Sequence, residues 1–229
     1  MDFDSFVLAA ATPTLGDAQS ARPHADAVEF RMDLAESPLD ALADYDGSLP
    51  LIATNRVAWE GGETPDIEAR LDALAEAAAN DHVGAIDVEL DSLDGKGDHD
   101  ASRLLDVAAD HGTAVIVSTH DFEATPSRDD IADRLERACD FGDVGKLAVT
   151  AQDADDVLDL LRITRDFDRE GHRVATMAMG EAGRHSRAVA PLYGSRIGYA
   201  PVDPADATAP GQYDLATLRG LIDELQSRE

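Results

Sequence analysis

Lysine is almost absent from this sequence, and positive charge is scarce overall. Only Lys96 and Lys146 are lysines among 19 basic residues, and 47 acidic residues give the chain a formal net charge of −28. Nucleic acid is a poor partner for such a charge. The composition is typical of proteins from a high-salt cytoplasm, because molar salt screens charge repulsion beyond about 3 Å. An acidic surface that binds a partner protein is the alternative interpretation.

Cysteine and long apolar runs are also scarce. Cys139 is the only cysteine, so an internal disulfide is excluded and a cysteine-based metal site is not expected. Residues 1–11 begin with acidic side chains before a short apolar run, unlike a signal peptide. No apolar stretch approaches the length of a membrane span. These features predict a soluble, cytoplasmic protein without a membrane partner.

Eight β-type runs alternate with helical segments along the chain. The runs are Phe6–Thr12, Ala27–Asp33, Leu49–Arg56, Gly84–Asp91, Ala114–Phe122, Val144–Ala151, Arg173–Gly180 and Arg196–Val202. The clearest helical segments are Pro65–Asn80 with Thr64 as N-cap, Asp100–His111, Ser127–Asp140, Asp153–Arg169, Gly183–Tyr193 and Asp214–Gln226. Because no linker divides them, we predict one domain, residues 1–229, folded as a (β/α)8 TIM barrel of the α/β class. A doubly wound open sheet is the alternative, and both folds place sites at the C-terminal ends of the strands.

Two predicted strands carry charges on one face. In the second, Glu29, Arg31 and Asp33 alternate with apolar residues, and the fourth repeats this pattern at 87, 89 and 91, where every residue is acidic. A buried barrel strand is normally apolar on both faces. The pattern indicates a paired polar network inside the barrel. A solvated edge strand or a structural row of ion pairs would give the same alternation.

His120 lies near the end of the fifth apolar strand, and Lys146 lies in the sixth, so the two are on neighbouring strands of the predicted barrel. A neutral lysine amine can attack a carbonyl to form a Schiff base, which arginine cannot do. Desolvation and nearby cations both disfavour an ammonium, so we expect some free amine at Lys146. Histidine suits proton transfer near neutral pH. A lysine stem that snorkels to the barrel mouth and a structural histidine are the alternatives.

Several other polar residues fall near the predicted barrel mouth. Arg56 ends the third strand, Arg187 follows a glycine-containing loop where it suits a carboxylate, and Thr208 and Gln212 precede the last helix. The Asp/Gly loop at 91–100 does not fit the EF-hand spacing. No phosphate-cradling glycine motif occurs either. We therefore expect neither a metal nor a cofactor.

These elements together resemble the type I 3-dehydroquinate dehydratase family over nearly the whole chain. The motifs that carry the resemblance are Glu29-Phe-Arg-Met-Asp33, Arg56 with Glu60-Gly-Gly-Glu63, Ser118-Thr-His-Asp-Phe122, Lys146-Leu-Ala-Val149, Met177-Ala-Met-Gly180 with Ser186-Arg187, Tyr193-Gly-Ser195 and Ala209-Pro-Gly-Gln212. The family often has a serine in the first strand that contacts substrate. Here that run reads Ala9-Ala-Ala-Thr12, and the contact has no assigned residue.

The resemblance implies a role for each matching residue. Lys146 forms an imine with the C3 ketone of 3-dehydroquinate, His120 moves the C2 proton to the leaving C1 hydroxyl, and Glu60 orients His120. The residues implied in substrate binding are Glu29, Arg31, Arg56, Arg187, Thr208 and Gln212. The product is 3-dehydroshikimate, an intermediate of the shikimate pathway of aromatic amino acid biosynthesis. Members of the family are often dimers, so a homodimer is a possible assembly.

Two other functions remain open from the sequence. One is another class I Schiff-base barrel such as an aldolase, which would need a phosphate site near the last two strands if its substrate were a phosphorylated sugar. The other is a non-catalytic barrel that acts as a binding protein. Such a protein would tolerate the loss of Lys146 without losing its ligand.

Overall fold

The strands of this computed structural model form one parallel sheet. The structure describes residues 1–64, 66–94, 101–203 and 211–227. The strands are β1 (Val7–Thr12), β2 (Ala27–Arg31), β3 (Leu51–Thr54), β4 (Val83–Glu89), β5 (Ala114–Asp121), β6 (Val144–Thr150), β7 (Val174–Met179) and β8 (Ile197–Pro201). They pair in the order β7-β6-β5-β4-β3-β2-β1-β8.

The sheet curls until its two ends meet. The backbone N–H of Arg196, just before β8, donates to the carbonyl of Val174 at the start of β7 (2.7 Å), and Val174 forms an isolated bridge with Ser195. A doubly wound sheet would instead reverse its strand order at a switch point. Sequential order with both ends in contact confirms the predicted (β/α)8 barrel.

Helices follow the strands on the outside of the barrel. They are α1 (Ala18–Ala21), α2 (Pro38–Ala43), α3 (Ile67–Ala78), α4 (Leu90–Leu93), α5 (Ser102–His111), α6 (Arg128–Phe141), α7 (Ala154–Glu170), α8 (Gly180–Gly183), α9 (Ser186–Val189) and α10 (Leu215–Gln226). Short 3-10 helices cover Leu15–Asp17, Met32–Leu34, Ala58–Glu60 and Ala190–Tyr193. None of the helices in the described ranges is long and apolar enough to cross a membrane.

The two faces of each strand have different partners. Val28 and Phe30 of β2 point outward and pack with the apolar sides of the helices. Facing inward, Ile52, Ile116 and Val144 pack with Phe3 into an apolar floor. Side chains farther along the same inner faces are polar, so the barrel interior changes from apolar to charged towards its C-terminal mouth.

The predicted start of the helix that follows the third strand is wrong. Helix α3 begins at Ile67, and its N-cap is Asp66, whose carboxylate accepts the N–H of Ala69 (3.0 Å). Thr64 instead pairs with Val57 in an isolated bridge and donates its hydroxyl to Asn55 (3.1 Å). Pro65 lies outside the described residues. An aspartate caps a helix at least as well as a threonine, so the helix begins at Ile67, two residues later than predicted.

Two further predictions of local structure are wrong. The segment Gly183–Tyr193 is not one helix but the end of α8, then α9 and a 3-10 turn with Pro191 in its first positions. Asp91 does not point into the barrel, because β4 ends at Glu89 and Asp91 lies exposed in α4. Strand alternation stops where the strand stops.

Candidate active site

A cavity opens at the C-terminal mouth of the barrel, lined by residues from several strands. Its walls are Glu29, Arg31, Thr54, Arg56, Glu60, Gly61, His120, Phe122, Lys146, Ala148, Met177, Met179, Arg187, Tyr199 and Gln212. This set contains every site residue predicted from the sequence except Thr208, which lies outside the described residues. The barrel therefore brings together side chains that are up to 183 positions apart in the chain.

Lys146 lies deep in this cavity with only 4% of its surface exposed. Its Nζ forms an ion pair with Asp87 Oδ2 at 2.8 Å. The same nitrogen lies over the ring of Tyr199, 4.3 Å from the centroid. The sequence predicted that cations would surround Lys146, and the structure adds a carboxylate that holds its nitrogen in place.

Asp87 is a fully buried carboxylate between two cations. Arg56 contributes the second ion pair, with Nη2 2.8 Å from Asp87 Oδ1, and Ser118 Oγ donates to the same oxygen (2.6 Å). Burial by itself would raise the pKa of Asp87, but the charges of Arg56 and Lys146 hold it well below its usual range. Asp87 is thus a permanent anion that anchors both cations.

His120 and Glu60 form a hydrogen-bonded pair. The distance from His120 Nδ1 to Glu60 Oε2 is 2.7 Å, and Phe122 stacks on the imidazole with ring centroids 5.8 Å apart. Burial, helped by the charges of Arg56 and Lys146, lowers the pKa of His120 well below its ordinary value. Burial also raises the pKa of Glu60 to about 8, although Arg56 opposes this shift. The imidazole is therefore neutral, and the His120–Glu60 pair gains or loses a proton at a pH of about 8.

A tight loop places Glu60 beneath His120. The loop runs from Arg56 through the 3-10 helix Ala58–Glu60, and Val57 N–H donates to Glu89 Oε1 (3.1 Å). Gly61 follows with a φ of 81°, and a Cβ at Gly62 would overlap the carbonyl of Arg56. The glycine pair after Glu60 is therefore required for the loop to fold back against its own start.

Arg31 and Arg56 are cavity cations whose charges are already paired. Arg31 binds Asp33 through two hydrogen bonds of 2.8 and 2.7 Å. Arg56 contacts Glu89 Oε1 at 3.1 Å, besides its ion pair with Asp87. Glu29, opposite them, accepts a hydrogen bond from Thr54 (3.0 Å). Paired in this way, these groups present fixed polar atoms to the cavity.

Arg187 is a buried cation with a different environment. It lies on α9, whose first residue, Ser186, accepts the Ala178 N–H (2.9 Å) and fixes the helix against β7. Burial lowers the pKa of Arg187 to about 10, and its Nε has no hydrogen-bond partner among the described residues. A guanidinium that faces the cavity without a carboxylate is suited to bind an anionic ligand.

Sequence reasoning did not identify several residues of this site. Asp87, Ser118 and Tyr199 all contact the ions of the cavity, yet none was assigned a role, although Asp87 was predicted on the charged inner face of the fourth strand. Arg70 of α3 was missed as well, although it is 1% exposed and binds Glu89 Oε2 (2.8 Å) behind the cavity wall. Alternation in β4 was the available signal for Asp87. No sequence signal pointed to Arg70, because it reaches the site from a helix.

Metal ligation has no obvious place here. Within the described ranges, no group of three or more histidine, cysteine or carboxylate side chains is arranged to hold a metal ion. The buried carboxylates of Asp87 and Glu89 are instead bound by arginine and lysine. The arrangement combines a buried amine, a proton-transfer pair and a guanidinium that has no carboxylate partner among the described residues.

Comparisons with known proteins agree with this geometry. The sequence profile of the type I 3-dehydroquinase family matches residues 7–229. The 3-dehydroquinate dehydratase of Haloarcula marismortui is 63% identical over 227 residues, covering 99% of each chain. That of Halobacterium salinarum is 54% identical over 226 residues, covering 99% of this chain and 100% of its own. In fold, the chain is similar to the 3-dehydroquinate dehydratase structure from Geobacillus kaustophilus, with a TM-score of 0.85, 24% identity, and coverage of 98% and 93%. The chain belongs to the type I 3-dehydroquinase family.

Proposed function

We propose that this protein dehydrates 3-dehydroquinate to 3-dehydroshikimate through a Schiff base on Lys146. The observation that carries the proposal is one cavity that holds Lys146, the His120–Glu60 pair and the guanidinium of Arg187, which has no carboxylate partner in the part of the chain that the structure describes. Each supplies a different requirement of the reaction: a nucleophile, a proton carrier and an anchor for the substrate carboxylate.

The first chemical step joins Lys146 to the C3 ketone. The nitrogen forms a bond to C3, the carbonyl π electrons move to oxygen, and that oxygen leaves as water. Lys146 attacks as the neutral amine, so its ammonium first gives up one proton to water. A second proton moves from nitrogen to the C3 oxygen to give the carbinolamine. The proton released first then returns to that hydroxyl as it leaves, so the iminium keeps one proton and the departing water carries two. Asp87 stays ionised throughout and orients the nitrogen through their 2.8 Å ion pair.

The second step removes water across C1 and C2. The neutral His120 takes the C2 proton through Nε2, because Nδ1 is bound to Glu60. The electrons left at C2 flow into the iminium, which acts as an electron sink. His120 then returns the proton to the C1 hydroxyl, which leaves as water. Hydrolysis of the iminium releases 3-dehydroshikimate and restores Lys146.

Substrate binding follows from the charges of the cavity wall. Arg187, assisted by Gln212, binds the substrate carboxylate, since Arg187 has no acidic partner in the described structure. Glu29, Arg31 and Arg56 hold the ring hydroxyls with their fixed polar atoms. Thr208 is proposed for the same hydroxyls from the family resemblance alone.

The setting is proposed from sequence features and the assembly from the family resemblance. Residues 1–229 act as a single catalytic domain in the cytoplasm, without a metal, a cofactor or a nucleic acid partner. The acidic composition and the single cysteine support this setting. A homodimer is the proposed assembly, and sedimentation in molar salt measures it.

A pair of matched lysine substitutions tests the function. With 3-dehydroquinate in molar potassium chloride, the wild-type protein should produce the absorbance of a conjugated enone. Lys146→Arg keeps the charge but cannot form an imine, so turnover should be lost. Lys96→Arg, which changes the only other lysine, should retain turnover. Lack of product from the wild type, or substantial activity in Lys146→Arg, would argue for a different reaction or for a binding barrel.

A further inference from the structure

Tyr199 is a buried cavity residue that the mechanism above does not use. It lies on β8 with 5% of its surface exposed, and its Cα partner across the sheet is Ala9 of β1. The small side chains of Ala9 and Ala11 leave room for the tyrosine ring inside the barrel. Neither alanine has a polar side-chain atom. On this side of the barrel the hydroxyl group is that of Tyr199.

The ring of Tyr199 lies against the nitrogen that attacks the substrate. Lys146 Nζ is 4.3 Å from the ring centroid, within the range of a cation–π contact. Asp87 holds the same nitrogen from another direction at 2.8 Å. A substrate carbon bonded to Lys146 must therefore lie close to the tyrosine.

The hydroxyl of Tyr199 has no hydrogen-bond partner among the described residues. Buried tyrosine hydroxyls usually find a partner, because an unsatisfied buried polar group destabilises the folded state. Burial, helped by the charges of Glu29 and Asp87, raises the pKa of Tyr199 well above its ordinary value. The hydroxyl therefore keeps its proton and remains a hydrogen-bond donor without an acceptor among the described residues.

We propose that Tyr199 is a further catalytic residue, whose hydroxyl donates a hydrogen bond to the C3 oxygen of the substrate while Lys146 attacks. This inference rests on the proposed function. Negative charge develops on that oxygen as the bond between nitrogen and C3 forms, and a pre-placed donor stabilises it. Tyr199 keeps its proton throughout, so the proton balance of imine formation is unchanged.

The variant Tyr199→Phe isolates the hydroxyl, because the ring and its contact with Lys146 remain. We expect imine formation, followed as the rate at which borohydride traps the adduct, to slow about tenfold to a hundredfold. The value of kcat/KM should fall by a similar factor. The melting temperature should stay the same or rise, since the variant removes an unsatisfied polar atom.

Tyr45→Phe is the matched control. The Tyr45 hydroxyl is satisfied by the carbonyl of Leu49 (2.9 Å) and does not line the cavity. Its removal should lower the melting temperature and leave both rates unchanged. The two variants thus predict opposite patterns for stability and activity.

The possible outcomes distinguish the inference about Tyr199 from the proposed function on which it rests. Wild-type rates of trapping and turnover in Tyr199→Phe would overturn it, because the hydroxyl would then be buried without a role in catalysis. A rise in KM with an unchanged trapping rate would overturn it too, since the contact would then lie elsewhere on the substrate. If the wild-type protein forms no adduct, the proposed function itself is wrong, whatever the rates of Tyr199→Phe.

Discussion

Charge pairing distinguishes the cations of the cavity from one another. Arg31, Arg56 and Lys146 each have a buried carboxylate within 2.8 Å, whereas Arg187 has none among the described residues. The sequence indicated that these residues share a barrel mouth, because strand alternation and strand order determine it. It predicted that the buried charges would be paired but not which side chains would pair, because the pairing depends on register and stagger between strands.

The missing partner of Arg187 leads to a prediction about stability and binding. Arg187→Met removes a desolvated guanidinium, so the free protein should gain about 1 kcal/mol or more in its free energy of unfolding. The same variant should lose substrate affinity, seen as a large rise in KM. Chemical denaturation and steady-state kinetics measure the two effects. A loss of stability together with an unchanged KM would contradict the role of Arg187 as a carboxylate anchor.

The His120–Glu60 pair predicts the pH dependence of the rate. Below a pH of about 8 Glu60 holds a proton and donates it to Nδ1, so Nε2 carries the imidazole proton and is not a base. Above that pH the ionised carboxylate of Glu60 accepts a hydrogen bond from Nδ1–H of His120. Nε2 then carries no proton and can act as a base. The value of kcat/KM should therefore rise with pH through about 8.

Glu60→Gln tests this assignment, since glutamine cannot exchange the proton. His120 would then titrate alone, and its pKa lies below the ordinary histidine value because the site is buried. The rising limb should move to lower pH and the maximum rate should fall. A pH profile in Glu60→Gln that keeps the wild-type limb would assign that limb to another group.

Strands and loops were predictable to different degrees. All eight strands were predicted, and the inner faces of the second and fourth followed from alternation, because a parallel barrel imposes both. The predicted ends of strands failed where a polar residue continued the alternation beyond the last hydrogen bond, as at Asp91. The loop that carries Glu60 was recognised only through its family motif, since its fold depends on contacts with Glu89 and Arg56.

Gly62 provides a prediction for that loop. A Cβ at this position would overlap the Arg56 carbonyl, so Gly62→Ala must shift the segment that holds Glu60 under His120. We expect a loss of about 1–3 kcal/mol in the free energy of unfolding and a marked fall in kcat. Gly220→Ala is the control, because its Cβ meets no atom within 4 Å on α10. That change should be neutral or stabilising, and equal effects of the two variants would contradict the packing argument.

The whole molecule carries a net charge of −28, which should make its stability depend on salt. Self-repulsion at this charge destabilises the compact state, and molar salt screens it to about 3 Å. The melting temperature should rise steeply between dilute buffer and molar potassium chloride. Sucrose is the control, because it strengthens apolar burial without screening charge. Equal stability in both salt conditions would argue against adaptation to high salt.

Borohydride trapping tests most directly whether Lys146 forms a covalent imine with 3-dehydroquinate. The protein is incubated with substrate and reductant in molar potassium chloride, digested and mapped by mass spectrometry. Lys146 and Lys96 are the only lysines, so the adduct can be assigned between two sites. One reduced adduct is expected, located on Lys146 and absent from Lys146→Arg. Turnover without an adduct on Lys146, or an adduct on Lys96 alone, would contradict it.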